Sequence, residues 1–132
     1  MEVIICVDDH YGVSFLGKRL SRDKFLYADI AEYINKRTLC VNAKAAALFQ
    51  EQQISLKITT DFSEDSLYFV EDTEIFRNRS KISKIILYRW NRIYPSDVRF
   101  SPEWLDEFQL INRTEFAGFS HDLITREVYC RG

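Results

Sequence analysis

Leu67-Tyr68-Phe69-Val70-Glu71-Asp72-Thr73-Glu74-Ile75-Phe76 is the stretch that decides the fold. Leu67 to Val70 is an unbroken apolar run and reads as a buried strand. A short helix is expected from Thr73 to Arg77. A strand that runs straight into a helix often cradles phosphate, because N–H groups at the helix start point at the anion. Such a turn needs glycine so that the backbone can approach closely. Here the turn carries two carboxylates, Glu71 and Asp72.

Outward from this turn, further apolar runs read as strands: Val3 to Val7, Thr38 to Val41, Leu56 to Thr59, Ile85 to Trp90, Phe108 to Ile111 and Glu127 to Cys130. Leu26, Ile30, Tyr33 and Ile34 share one helical face. Ser21 is the expected N-cap of that helix, with Asp23 in its first turn near the positive end. Ala43 to Gln50 is alanine-rich and should be helical. Strands alternating with helices predict an α/β sheet with parallel early strands. Pro95 and Pro102 punctuate the last third, where two strands joined only by loops suggest an antiparallel end. The expected architecture is one domain, residues 1–132, with a mixed sheet flanked by helices.

Composition narrows the function classes. Hydrophobic residues are 46% of the chain, enough for a core, and the net charge of -2 recruits neither nucleic acid nor an anionic membrane. Val3 to Val7 is too short for a signal-peptide core or a membrane span, so a cytoplasmic location is expected. Cys6, Cys40 and Cys130 lie far apart without a C-x-x-C pair and read as buried thiols. The four glycines are Gly12, Gly17, Gly118 and Gly132. None lies between Lys18 and Ala117, which removes both G-x-G-x-x-G and G-x-x-x-x-G-K-[ST].

Ile4-Ile5-Cys6-Val7-Asp8-Asp9-His10-Tyr11-Gly12-Val13 resembles the opening strand and loop of dihydrofolate reductase, and Gly17-Lys18 resembles the glycine of that family's mobile loop. Ile85-Ile86-Leu87-Tyr88, Tyr94-Pro95-Ser96-Asp97, Phe108-Gln109-Leu110-Ile111 and Arg126-Glu127-Val128-Tyr129 follow its closing strands in order. Phe69-Val70-Glu71-Asp72 falls on its strand and Gly-Gly turn. The resemblance implies a fold of that type and a cleft formed by Val7, Asp23, Phe49, Tyr88 and Tyr94. It implies a folate-binding carboxylate near the first helix, where Asp23 is the best match and Asp29 competes.

The departures matter as much. The family's Pro-Trp is Leu20-Ser21 here, and its supporting hydroxyl residue falls on Tyr88. Of its phosphate-binding Gly-Arg-Lys-Thr, only Lys44 remains, in Asn42-Ala43-Lys44-Ala45. Only Gln50 to Ser66 separates Phe49 from Leu67, whereas a full crossover unit takes roughly 30 residues. The cofactor half therefore reads as cut back. A carboxylate about 4 Å from a phosphate costs roughly 4 kcal/mol at an effective dielectric of ~20. Glu71 and Asp72 therefore argue against NADPH.

Other constellations are weaker. Asp8, Asp9 and His10 form a solvated loop or a poor metal site, and no metal is expected. His121 with Asp122 reads as a turn. Ser14, Ser101 and Ser120 lie in no G-x-S-x-G elbow, so no serine hydrolase is supported. Tyr88-Arg89-Trp90-Asn91-Arg92-Ile93-Tyr94 interleaves basic and aromatic residues, as a base-stacking surface does. Its period of two equally describes a strand with Tyr88 and Trp90 facing inward.

The expected function is a non-catalytic binding or interaction protein, holding a small heterocycle or a protein partner, with a homodimer covering the shortened face. The alternative is a divergent reductase acting on a pterin-like ring, with Asp23 as its carboxylate and NADPH as cofactor. A second alternative, a nucleic-acid binder or nuclease, rests on Arg89, Trp90 and Arg92.

Overall fold

A computed structural model describes residues 1–132. The chain builds β1 (Glu2–Val7), β2 (Gly12–Phe15), β3 (Lys18–Arg19), α1 (Lys24–Ile34), β4 (Leu39–Val41), α2 (Ala43–Ala46), β5 (Leu56–Ile58), β6 (Leu67–Val70), β7 (Lys84–Arg89), β8 (Val98–Arg99), β9 (Phe108–Phe116) and β10 (Ile124–Arg131). The main sheet has seven strands in the order β5-β4-β6-β1-β7-β10-β9. β1 runs parallel to both β6 and β7, with Ile4 opposite Phe69 on one side and Ile86 on the other. β10 is antiparallel to β7 and β9. The expected parallel start and antiparallel end are both present.

Both faces of the central strands are covered, which is why β6 and the interiors of β1 and β7 are unbroken apolar runs. Ile4, Phe69, Ile86 and Tyr88 pack under α1 (Leu26, Tyr27, Ile30, Ile34) and Phe49. Val3, Ile5, Val7, Val70 and Leu87 point the other way, against Ile75, Phe76, Ile82 and Phe100. Three aromatic rings, Tyr27, Phe49 and Phe69, meet edge to face beneath α1.

Several local expectations are corrected. The N-cap of α1 is Asp23, not Ser21, because its carboxylate accepts from Phe25 N. α2 stops at Ala46 and tightens into a 3-10 turn over Ala47–Phe49. No α-helix follows β6. Glu74–Lys81 is a 3-10 run kinked at Asn78, and Thr73 supplies no side-chain cap. β9 extends to Phe116 because Asn112 to Glu115 pair with β10 through the backbone ladder and the Arg113–Glu127 ion pair, so no apolar alternation marks them.

A second sheet, β3-β2-β8, has no counterpart among the strands expected from the sequence. Its strands are too short to show a period. The β2–β3 turn is Leu16-Gly17 with φ of 51° and 74°, the left-handed pair a two-residue hairpin demands. Between β5 and β6 there is no crossover helix, only loop 59–66, pinned by Phe62 against Tyr68 and by the Lys57–Glu64 ion pair. The connection from β5 to β6 is short, as expected.

Candidate functional site

In this sheet the connection from β1 leaves toward β4, while the one from β6 leaves toward β7. The chain therefore changes direction between the carboxyl ends of β1 and β6, the place where open α/β sheets bind ligands. Here that crevice is closed. Cys6, Val13, Leu20, Ser21, Tyr27, Phe69 and Trp90 line about 10 Å³ of space, room for at most one water molecule. Burial, reinforced by the charge of Glu71, pushes the Cys6 thiol above the ordinary range.

Arg19 seals the mouth. Its Nε and Nη2 donate to the two oxygens of Glu71 at 2.6 and 3.0 Å, and Nη2 also reaches the Lys44 carbonyl at 3.3 Å. The hydrogen bond to Glu71 raises the guanidinium pKa against the opposing effect of burial. β3 is thereby tied to the end of β6. Glu71 is not free to repel or receive an anion, and the exposed Asp72 accepts from Glu74 N at 3.1 Å.

The residues expected to share a cleft do not surround one space. Val7 is buried on the opposite face of the sheet from Phe49 and Tyr88. Phe49 and Tyr88 are core side chains, 1% and 0% exposed. Tyr88 donates its hydroxyl to Asp29 at 2.6 Å, and Arg126 Nη1 donates to the same oxygen at 2.9 Å. Burial and then the Asp29 charge push the Tyr88 phenol well above its usual range. Asp29, rather than Asp23, thus meets the hydroxyl residue. Lys44 is exposed beside the sealed mouth.

Asp23 and Tyr94 meet elsewhere, around His121, which the sequence marks only as part of a turn. His121 is buried against Asp23, not Asp122, with Nδ1 2.9 Å from Asp23 Oδ2. Asp23 also accepts from Phe25 N and Phe119 N at 2.9 Å and from Ser120 N at 2.8 Å. Burial raises its pKa. Donation from Phe119, His121, Ser120 and Phe25 outweighs this and holds the carboxyl well below the usual carboxylate range. An ionised carboxylate only accepts, so Nδ1 carries a proton, and in the neutral ring Nε2 presents its lone pair. Nε2 lies 2.9 Å from the Tyr94 hydroxyl and 3.1 Å from Ser21 Oγ. Trp90 stacks on the imidazole at 4.8 Å. Gly118 lets the loop close here, since a Cβ would stand 2.7 Å from Asp23 Oδ2 and 2.6 Å from the His121 carbonyl.

Asp8 is buried rather than solvated. It accepts from His10 N, Gly12 N and Tyr94 N at 2.9, 2.7 and 2.9 Å, and so fixes the loops beside this cluster. Asp9 and His10 are exposed. Arg89 is not a nucleic-acid side chain on display: it pairs with Glu127 at 2.8 Å and lies over Tyr11. Trp90 is core.

Two open spaces remain. One, of about 340 Å³, lies at the carboxyl ends of β4, β5 and β6, between Asn42, Thr59, Thr60, Phe62, Tyr68 and Arg77. The other, of about 890 Å³, lies outside the Arg19–Glu71 pair, with Lys18, Arg22 and Lys44 on its rim and Ser21 at its inner edge.

Strand order, the switch from parallel to antiparallel pairing and the helix placement define an α/β protein with a dihydrofolate-reductase-like fold. Among solved structures, dihydrofolate reductase from Enterococcus faecalis, in complex with NADP(H) and RAB-propyl, matches 99% of this chain and 95% of its own, with a TM-score of 0.69 and 10% identity. No family model matches the sequence, and no curated protein matches it. At that identity the likeness shows the fold. No helix is long and apolar enough to cross a membrane.

Proposed function

We propose that this chain is a small-molecule-binding domain that carries out no nicotinamide-dependent reduction. The observation behind this reading is the Arg19–Glu71 pair across the mouth of a filled crevice. Ligand binding falls instead to the space of about 340 Å³ at the ends of β4, β5 and β6, which lies within the size range of small-molecule pockets. Phe62 and Tyr68 give it an aromatic wall. Asn42, Thr59 and Thr60 give it amide and hydroxyl groups, while Arg77 is paired with Glu74 at 3.3 Å and Asp72 adds a carboxylate. A small heterocycle with polar edges suits that lining.

A thermal-shift screen against folates, nucleotides and cyclic nucleotides tests this, since a ligand of the folded state raises the melting point. At least one is expected to stabilise the protein, and Thr60→Lys is expected to abolish the shift. Titration with NADPH, followed through Trp90 and Trp104 emission, is expected to give no saturable quenching. Tight saturable quenching overturns the reading in favour of a reductase built around Asp29.

A second reading, assembly with a second copy, is favoured by the free edges of the sheet. β9 exposes Leu110 and Ile111, and β5 exposes Ile58. Light scattering at two concentrations tests it, with dimer mass expected and lost on Leu110→Lys.

A further inference from the structure

We infer that Ser21, His121 and Asp23 form a nucleophile–base–orienter relay that accepts an acyl group from a small ester carrying an anionic substituent. The geometry has the three required links. Asp23 Oδ2 holds His121 Nδ1 at 2.9 Å, and His121 Nε2 faces Ser21 Oγ at 3.1 Å. Asp23 is itself fixed by three backbone N–H groups, and Trp90 stacks on the imidazole, so the base has one orientation. Ser21 is half-buried and borders the space of about 890 Å³ outside the sealed crevice. A substrate reaches it without displacing Arg19 from Glu71.

The surroundings select the substrate. Lys18, Arg22 and Lys44 line this space, are exposed and take part in no ion pair. Arg19 and Glu71 cancel each other, which leaves Asp72 as the one opposing charge among the lining residues. A carboxylate or phosphate on the substrate meets that excess of positive charge.

The chemistry balances with water as the co-reactant. Ser21 Oγ bonds to the ester carbonyl carbon while its proton passes to His121 Nε2 and the carbonyl electron pair moves onto oxygen. Nε2 has one lone pair, so the Tyr94 hydroxyl, 2.9 Å away, turns from it toward the substrate carbonyl as Ser21 delivers its proton, and then donates to the new oxyanion. The oxyanion collapses, the ester C–O bond breaks and the leaving alcohol takes the proton from Nε2. Water then attacks the acyl-serine with His121 again as base, releasing the acid and restoring Ser21.

The test is covalent labelling of the folded chain with a fluorophosphonate, mapped by peptide mass. One adduct on Ser21 is expected, absent in Ser21→Ala and slowed about 100-fold in His121→Gln, the low end of general-base effects. No adduct on Ser21, or an equal rate in His121→Gln, overturns the relay. Should His121→Gln fail to fold, Ser21→Cys decides: its thiol is expected to alkylate with iodoacetamide about 10-fold faster than free glutathione, and a rate no faster overturns the relay. Hydrolysis of 4-nitrophenyl succinate over 4-nitrophenyl acetate, by about 10-fold and declining with salt, reads the anionic preference. Equal rates overturn that part of the assignment.

Discussion

Arg19 and Glu71, 52 residues apart in sequence, meet in a two-point ion pair with contacts of 2.6 and 3.0 Å. The pair is partly exposed, so solvent screens it and its contribution to stability is modest. Arg19→Ala is expected to cost about 1 kcal/mol, roughly 4 °C in melting temperature. The larger effect is local. Backbone amides of β2 and β3 should exchange with deuterium faster, while those of β1 and β7 stay protected. Unchanged exchange in β3 would show that the pair does not hold the loop.

Asp23 sets the acid side of the stability curve. Its folded-state pKa is depressed, so at low pH the unfolded chain takes up a proton there and the folded chain does not. Proton uptake by the unfolded state alone makes stability fall with pH. The contribution of Asp23 is present above its unfolded value of about 3.9 and is lost as pH falls through the folded value. Urea midpoints of the wild type are expected to drop below about pH 5. Asp23→Asn should be less stable at pH 7 by about 3 kcal/mol and show a flatter acid limb. An unaltered limb would place the acid sensitivity elsewhere.

Gly118 and Gly17 are glycines for different reasons. At Gly118 an added methyl collides with Asp23 Oδ2 and a backbone carbonyl. Gly118→Ala is expected to cost about 2–3 kcal/mol and to perturb His121. At Gly17 no atom stands within 4 Å, and the cost comes from φ of +74° alone. Gly17→Ala should cost about 1 kcal/mol and leave the His121 ring resonances in place. Chemical denaturation with imidazole NMR separates the two.

Tyr88→Phe removes a buried donor to Asp29 while Arg126 still neutralises the carboxylate. A loss of about 1–2 kcal/mol is expected, with no change in ligand binding at the pocket beside Thr60. Loss of binding there would couple the two regions and favour the reductase reading.

What was legible in the sequence follows from physical range. Val3 to Val7 and Leu67 to Val70 are buried on both faces, and such strands announce themselves as unbroken apolar runs. β2, β3 and β8 have two to four residues each and leave no periodic trace. Ser21 is a good cap by residue type, yet Asp23 takes the role because its carboxylate gathers donors from two segments. The partnership of Asp23 with His121 spans 98 residues, and no local pattern reports it. The same holds for Glu71. Its charge alone reads as a barrier to phosphate, while the cation that answers it lies 52 residues away in β3.

The stacking of Trp90 on His121 makes the indole a built-in optical gauge of that imidazole. A charged imidazole quenches indole emission, so brightness should track whether the ring carries one proton or two. Trp104, stacked on Phe76 across the sheet, lies outside that influence and supplies a steady background. With Trp104→Phe, the remaining signal would come from the histidine's neighbour alone, and acylation, titration or loop movement at Ser21 becomes visible without any added dye.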